Sequence, residues 1–328
     1  MKTLKTALRS LSGALALTLV AGLGSAQAAD TWPDRAVHII VGFGAGSSPD
    51  VQARMIAPPL SKILGQPVVV ENKPGAAANI GAAAVATATD GHTIGIIGNG
   101  PLTSSQFLYS KLPYNPEKDF APLALVGTAP LVWIANKDVA NGTPQDFIKK
   151  LQASGDTMAY GSVGAGSATN LGAELLKRAL HANPIHVPYN GGPAVISALI
   201  GGQIQMALLP VSTAKGQIDA GKVTGIAVVS AQRSPLLPKL PGLEDLGIHG
   251  INIEVWNAFM APASMPKEHQ AKLSEALQQI LKSDAISQSL LSQGWQVKDP
   301  SPQALNARID ADRATYKNLI AQTGIKLD

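Results

Sequence analysis

The chain has 328 residues, no cysteine, 4% aromatic residues, and 26 Lys plus Arg against 22 Asp plus Glu, a net charge of +4. Without a thiol there are no thiolate metal sites, cysteine nucleophiles, disulfides or cysteine-linked lipid anchors. The charge is weak and scattered, so it gives no footprint for nucleic acid or for an anionic membrane surface.

The first segment, MKTLKTALRSLSGALALTLVAGLGSAQAAD, sets Lys2, Lys5 and Arg9 ahead of a short apolar block at 11–23 and an Ala26-Gln27-Ala28 step. That order predicts a secretory signal peptide over residues 1–28, because the block is too short to span a bilayer and ends at small residues. Cleavage would remove three cations and no acid, so the sequence pI of about 9.2 belongs largely to the leader. An exported, unanchored periplasmic protein is expected. The remaining chain is long enough to bury a core without staples and to form two domains.

β-branched runs then alternate with helical patterns. Strands are predicted at 37–43 (VHIIVGF), 67–71 (PVVVE) and 92–98 (HTIGIIG), with helices at 50–64 and near 80–89. The stretch 123–135 supplies further strands, broken at Pro130. A second series follows: helix 144–153, strand 158–162, helix 171–182, strand 186–188, helix 193–200, strand 204–209, a helix near 214–220 and strand 225–229. After a Pro-rich passage, 254–261 (EVWNAFMA) reads as a strand returning across the molecule, and two long helices close the chain near 267–282 and 302–322. Such alternation predicts mixed, mostly parallel sheets flanked by helices, in two lobes. Lobe 1 is assigned to 30–128 plus 255–328 and lobe 2 to 129–254. No convincing short repeat stands out.

Three turns carry the chemistry. Ser47-Ser48-Pro49-Asp50 opens one helix, Gly166-Ser167-Ala168-Thr169-Asn170 a second, and Asn190-Gly191-Gly192-Pro193 a third. Each offers free N–H groups, the positive end of a helix dipole and short hydroxyl or amide side chains, with no Lys or Arg in the turn. They suit an anion held by neutral donors. A dinucleotide fits less well, since the third small position of G-x-G-x-x-G falls on Ser47 or Pro49 and no phosphate loop is present. The six histidines at 38, 92, 181, 186, 249 and 269 lack metal-ligand spacing, and Gly164-Ala165-Gly166-Ser167-Ala168 lacks the spacing of a nucleophile elbow. Neither metal nor cofactor is expected, and no catalytic residue is assigned.

Longer blocks carry a family likeness. WPDRAVHIIVGFGAG, GQPVVVENKPGAAANIGAAAVA, NGPLTSSQFLYSKLPYNPEKDFAPLALVG, YGSVGAGSATNLGAELLK, HVPYNGGPAVISALIGGQIQMAL and GKVTGIAVVSAQRSPLLPKLPGLEDLGI run in that order to WNAFMAPASMPKE. Together they resemble the Bug-type periplasmic solute-binding proteins of tripartite tricarboxylate transporters. The resemblance implies a two-lobed Venus-flytrap fold, no catalysis, and a carboxylated solute captured between the lobes and delivered to the membrane permease subunits. A monomer is expected. Carried over, the anion is held by Ala45, Gly46, Ser47, Ser48 and Asp50 on one side and by Gly166, Ser167, Thr169 and Asn170 on the other. Asn99, Gly100 and Tyr189 line the pocket, and Pro210 and Ser212 close its far end.

Some positions depart from that pattern. Gly42 replaces a proline, Ser47 a glycine, Asn170 a frequent histidine, and Pro210-Val211 an Asp-Asn pair. Losing the acid argues against an amino-acid ligand and leaves di- or tricarboxylates and aromatic carboxylates. A ligand sensor coupled to a membrane kinase would share every feature, and a periplasmic enzyme is the more remote alternative.

Overall fold

The computed structural model describes residues 32–323 and 325–327, so the segment read as a signal peptide lies outside the described residues. The elements below belong to one unit, Arg35–Asp328.

The first half-sheet is built from β1 (Val37–Val41), β2 (Val68–Asn72) and β3 (Thr93–Gly98), with α1 (Ser48–Leu64) and α2 (Asn79–Ala86) as crossovers. β2 and β3 both pair parallel to β1, as helical crossovers require. A wide helical turn, Gly100–Ser104, and the short α3 (Ser105–Leu108) then lead to β4 (Phe120–Asn136).

β4 is one strand of 17 residues, not the broken pair expected from Pro130. Pro130 is the last residue paired with β9 (Glu254–Pro262), and Leu131 is the first paired with β7 (Met206–Pro210). A missing N–H is tolerated where one ladder ends and another begins. β4 therefore runs through both half-sheets.

The second half-sheet adds β5 (Ala159–Ser162), β6 (Ile185–Pro188) and β8 (Val223–Val228). Its helices are α4 (Pro144–Ala153), α5 (Ala168–Ala179), α6 (Gly192–Ile200) and α7 (Val211–Asp219). The order is β2-β1-β3-β9-β4-β7-β5-β6, with β8 also on β4. The outer strands are parallel. The pairings of β4 with β7, β8 and β9, and of β9 with β3, are antiparallel, because β4 and β9 carry the chain between lobes in opposite directions. α8 (Lys267–Lys282), α9 (Asp284–Ser292) and α10 (Pro302–Thr323) complete the chain.

Each half-sheet has its own core. Ile40, Ile97, Leu125, Trp256 and Leu305 cluster in the first, and Val132, Ile134, Val195, Leu199 and Leu209 in the second. The result is a two-lobed α/β fold. No helix among the described residues is long and apolar enough to cross a membrane.

Candidate functional site

The turns that follow β1, β3, β5 and β6, together with Pro210 at the end of β7, converge from both lobes. Carboxyl ends of strands are where an open α/β sheet leaves room for a ligand. Between them lies a cleft of about 590 Å³, part of it open to solvent. Ser47, Ser48, Asn99, Gly100, Ser167, Thr169 and Pro210 line it, together with Phe43, Ala77, Val163, Gly192, Thr213, Val255, Trp256, Asn257 and Trp295.

Two of the turns are copies of one another. Gly-Ala-Gly-Ser occurs at 44–47 and again at 164–167. Gly46 has φ 76° and Gly166 φ 80°, a left-handed conformation that glycine adopts without penalty. Ser47 donates its N–H to the Gly44 carbonyl at 3.2 Å, as Ser167 does to Gly164. Gly46 N–H donates to Asp50 Oδ2 at 2.8 Å, and Gly166 N–H to Asn170 Oδ1 at 2.8 Å. The motif thus forms a short repeat that sequence inspection passed over.

The serines differ. Ser167 Oγ accepts from Asn170 N–H at 3.3 Å, capping α5, and donates to the Gly164 carbonyl at 2.6 Å. Thr169 Oγ1 lies 2.9 Å from Ser167 Oγ and accepts from Val163 N–H at 3.1 Å. Ser47 Oγ is buried and has no hydrogen-bond partner, although Ser47 occupies the N-cap position of α1. Pro49 occupies the second position of α1 and removes one N–H that such a cap would use.

Different scaffolds brace the copies. Asp50, only 2% exposed, also accepts from Arg54 Nε at 3.1 Å and Asn72 Nδ2 at 2.9 Å. Burial alone would raise the Asp50 pKa. Hydrogen bonds from Arg54, Gly46 and Asn72, with the Arg54 charge, outweigh it and hold the carboxyl below its ordinary range. Asn170 instead donates to Tyr160 Oη at 2.7 Å, and that phenol bonds Glu174, which pairs with Lys177 at 3.1 Å. Tyr160 stacks on His186 with ring centroids 4.8 Å apart. His186 meets Ser162 Oγ at 2.7 Å, and Ser162 Oγ in turn accepts from Gly164 N–H at 3.1 Å. Burial pushes the phenol pKa up and the imidazole pKa down, which favours the neutral form of both.

The lobes touch across the cleft. Ser48 Oγ reaches Ser212 Oγ at 2.9 Å and Thr213 Oγ1 at 3.1 Å. Gly44 N–H donates to the Asn190 carbonyl at 3.1 Å, and Ser104 Oγ to the Gly166 carbonyl at 3.1 Å.

Of the residues expected at the site, several stand behind the cleft wall. Ala45 and Gly46 are exposed to solvent, outside the lining. Asp50, Gly166 and Asn170 hold the turns from within. Tyr189 packs against the second lobe's core, and Ser212 faces Ser48. Phe43, Thr213, Trp256, Asn257 and Trp295 are among the lining residues that were not expected, as are Ala77, Val163, Gly192 and Val255. Thr213 adjoins the expected Ser212 and Phe43 lies two positions before Ala45, so both could have been found by extending each turn by one or two positions. Nothing local marks Trp256, Asn257 or Trp295, which long-range strand and helix returns bring to the cleft.

The family model described as tripartite tricarboxylate transporter family receptor matches residues 52–325. A curated relative from Agrobacterium vitis, the UPF0065 protein in the TAR-I ttuE-ttuC′ intergenic region, is 33% identical over 303 residues, 91% of this chain and 87% of its own. Among solved structures, the periplasmic binding protein BugD superposes with TM-score 0.86 at 30% identity, covering 90% of this chain and 99% of that one. MatC from Rhodopseudomonas palustris with bound malate superposes with TM-score 0.83 at 29% identity, covering 88% and 100%.

Proposed function

The chain belongs to the tripartite tricarboxylate transporter receptor family, and from that premise we propose that it is a periplasmic receptor for a small organic carboxylate. It is exported on a cleaved leader, binds the anion between its lobes, and presents it unaltered to the permease subunits of such a transporter. One observation carries the reading: Ser47 Oγ is buried at the cleft, at the start of a 17-residue helix, with no partner of its own. A buried hydroxyl left unpaired is costly, and a ligand oxygen would relieve that cost. Ser167 and Thr169 line the same cleft from the facing lobe at the start of a second helix, so both dipoles favour an anion there.

The lobe boundaries proposed are 30–128 plus 255–328 and 129–254, with β4 and the approach to β9 bending as the lobes close. The MatC structure holds malate, which supports a carboxylate class. A thermal-shift screen over citrate, succinate, aspartate, nicotinate, benzoate and terephthalate tests the reading. A true ligand at 100 times its Kd adds about 2.7 kcal/mol of stability. Recovery of that compound unchanged is expected. Silence across a broad carboxylate panel, or turnover of the bound compound, would overturn the proposal.

A further inference from the structure

Resting on the carboxylate-receptor reading, we infer that Asp312 and Tyr316 of α10 are positioning residues for the ligand, acting through the cleft-lining Trp256 and Asn99. Neither brace lines the cleft itself; with Glu254 and Arg308 they line a separate hollow, out of reach of a ligand held between the lobes. Arg308, Asp312 and Tyr316 follow one another at four-residue spacing, so they fall on one stripe of α10. That stripe meets one end of a single ladder. β3 and β9 are paired as far as Gly98 and Asn257, which brings Asn99 close to Trp256 where both reach the cleft.

Trp256 Nε1 donates to Asp312 Oδ2 at 2.6 Å, and Arg308 Nε donates to the other oxygen, Oδ1, at 2.9 Å. Arg308 Nη1 donates to Glu254 Oε2 at 3.0 Å, so the indole's acceptor is anchored to the strand that carries Trp256. Asn99 Nδ2 donates to Tyr316 Oη at 3.1 Å and to the Glu254 carbonyl at 3.5 Å. Tyr316 is buried, and burial holds its phenol pKa above the ordinary value, so the hydroxyl stays neutral. The network closes on itself through Glu254. An ion pair in a partly buried place adds little net stability, because lost hydration offsets the attraction. What this set supplies is direction: one carboxylate oxygen is fixed for the indole and one phenol oxygen for the Asn99 amide. Side chains held in this way are ordered before the ligand arrives, and binding need not meet that ordering cost.

Calorimetry on the purified protein, with citrate, succinate, aspartate, nicotinate, benzoate and terephthalate as probes, tests the inference. Asp312→Ala is expected to weaken the best-bound probe about tenfold, and to cost nothing more in a Trp256→Phe background. Tyr316→Phe is expected to cost about threefold, and nothing more once Asn99 is replaced by alanine. A role in general stability alone would lower Tm without coupling to those two partners. A further loss of more than about twofold in either background, or no loss from either single substitution, overturns the inference while leaving the receptor reading intact. If D312A does not fold, the Tyr316 pair decides. A parent protein that binds none of the six probes overturns both readings.

Discussion

The two Gly-Ala-Gly-Ser turns share the conformation of their second glycine and serine but have opposite hydrogen-bond economies. In the second lobe, Ser167 is fully engaged: it caps α5, bonds Gly164 and meets Thr169, and Asn170 is tied to a buried tyrosine. In the first, Ser47 bonds nothing through its hydroxyl, while Asp50 braces the loop through the Arg54 charge and the Asn72 amide. Folding has consumed the hydroxyl of Ser167 and left that of Ser47 unused. A receptor needs both conditions, one wall that holds its shape and one with hydrogen-bonding capacity still to give.

The largest test of that contrast lies in the first glycine of each copy. A Cβ on Gly164 would fall 2.7 Å from the Ala77 backbone across the cleft, at φ 132°. At Gly44 it would meet only the Asn190 carbonyl, at 3.3 Å. Gly164→Ala is therefore expected to block closure and cost about 100-fold in ligand affinity, roughly 2.7 kcal/mol, with Gly44→Ala much milder by calorimetry. Equal losses would show that the lobes do not close against Ala77.

The serines come next. Ser47→Ala removes a hydroxyl that holds nothing in the unliganded fold, so affinity should fall about tenfold with no drop in Tm. Ser167→Ala loses a helix cap and should cost about 1 kcal/mol of stability, a Tm decrease of about 2–4 °C. A destabilised S47A or an unaffected S167A would erase the distinction between the turns.

The smallest effect is in pH. The Asp50 pKa is lowered in the folded protein, so its carboxylate stabilises the fold above the ordinary value of 3.8, and that contribution is lost as pH falls through the folded value. Asn170 does not titrate. Asp50→Asn should therefore flatten the acid limb of the Tm-against-pH curve, whereas Asn170→Ala should lower the curve without changing its slope there.

Much of the fold was legible because local signals sit where the structure uses them. Thr143 and Asp146 form a capping box with Pro144 at the first helical position, and α4 spans the residues expected of it. The exceptions lack such signals. α9 buries only Leu290, so its apolar stripe is too thin to read as a helix. The segment from Gly100 to Leu108 opens on Gly-Pro and shows no steady period. Pro130 looked like a break because pairing partners are invisible in a single strand's sequence.

For the site, residues adjacent in the chain were readable and residues adjacent only in space were not. Ser47, Ser167 and Thr169 announce themselves by their glycines. Trp256 and Trp295 reach the cleft through β9 and the passage after α9. The duplication of Gly-Ala-Gly-Ser was hidden by its unlike flanks, Pro49-Asp50 in one copy and Thr169-Asn170 in the other.

β4 behaves as a common beam: residues up to Pro130 belong to one half-sheet and those from Leu131 to the other. Successive side chains on a strand face opposite ways, so one inserted residue at that junction would turn the core face of everything beyond it outward. The connecting turns can lengthen, shorten or change chemistry without that consequence. Diversification of what such a molecule captures is thereby channelled into its loops, while the span that joins its halves is held to a fixed count.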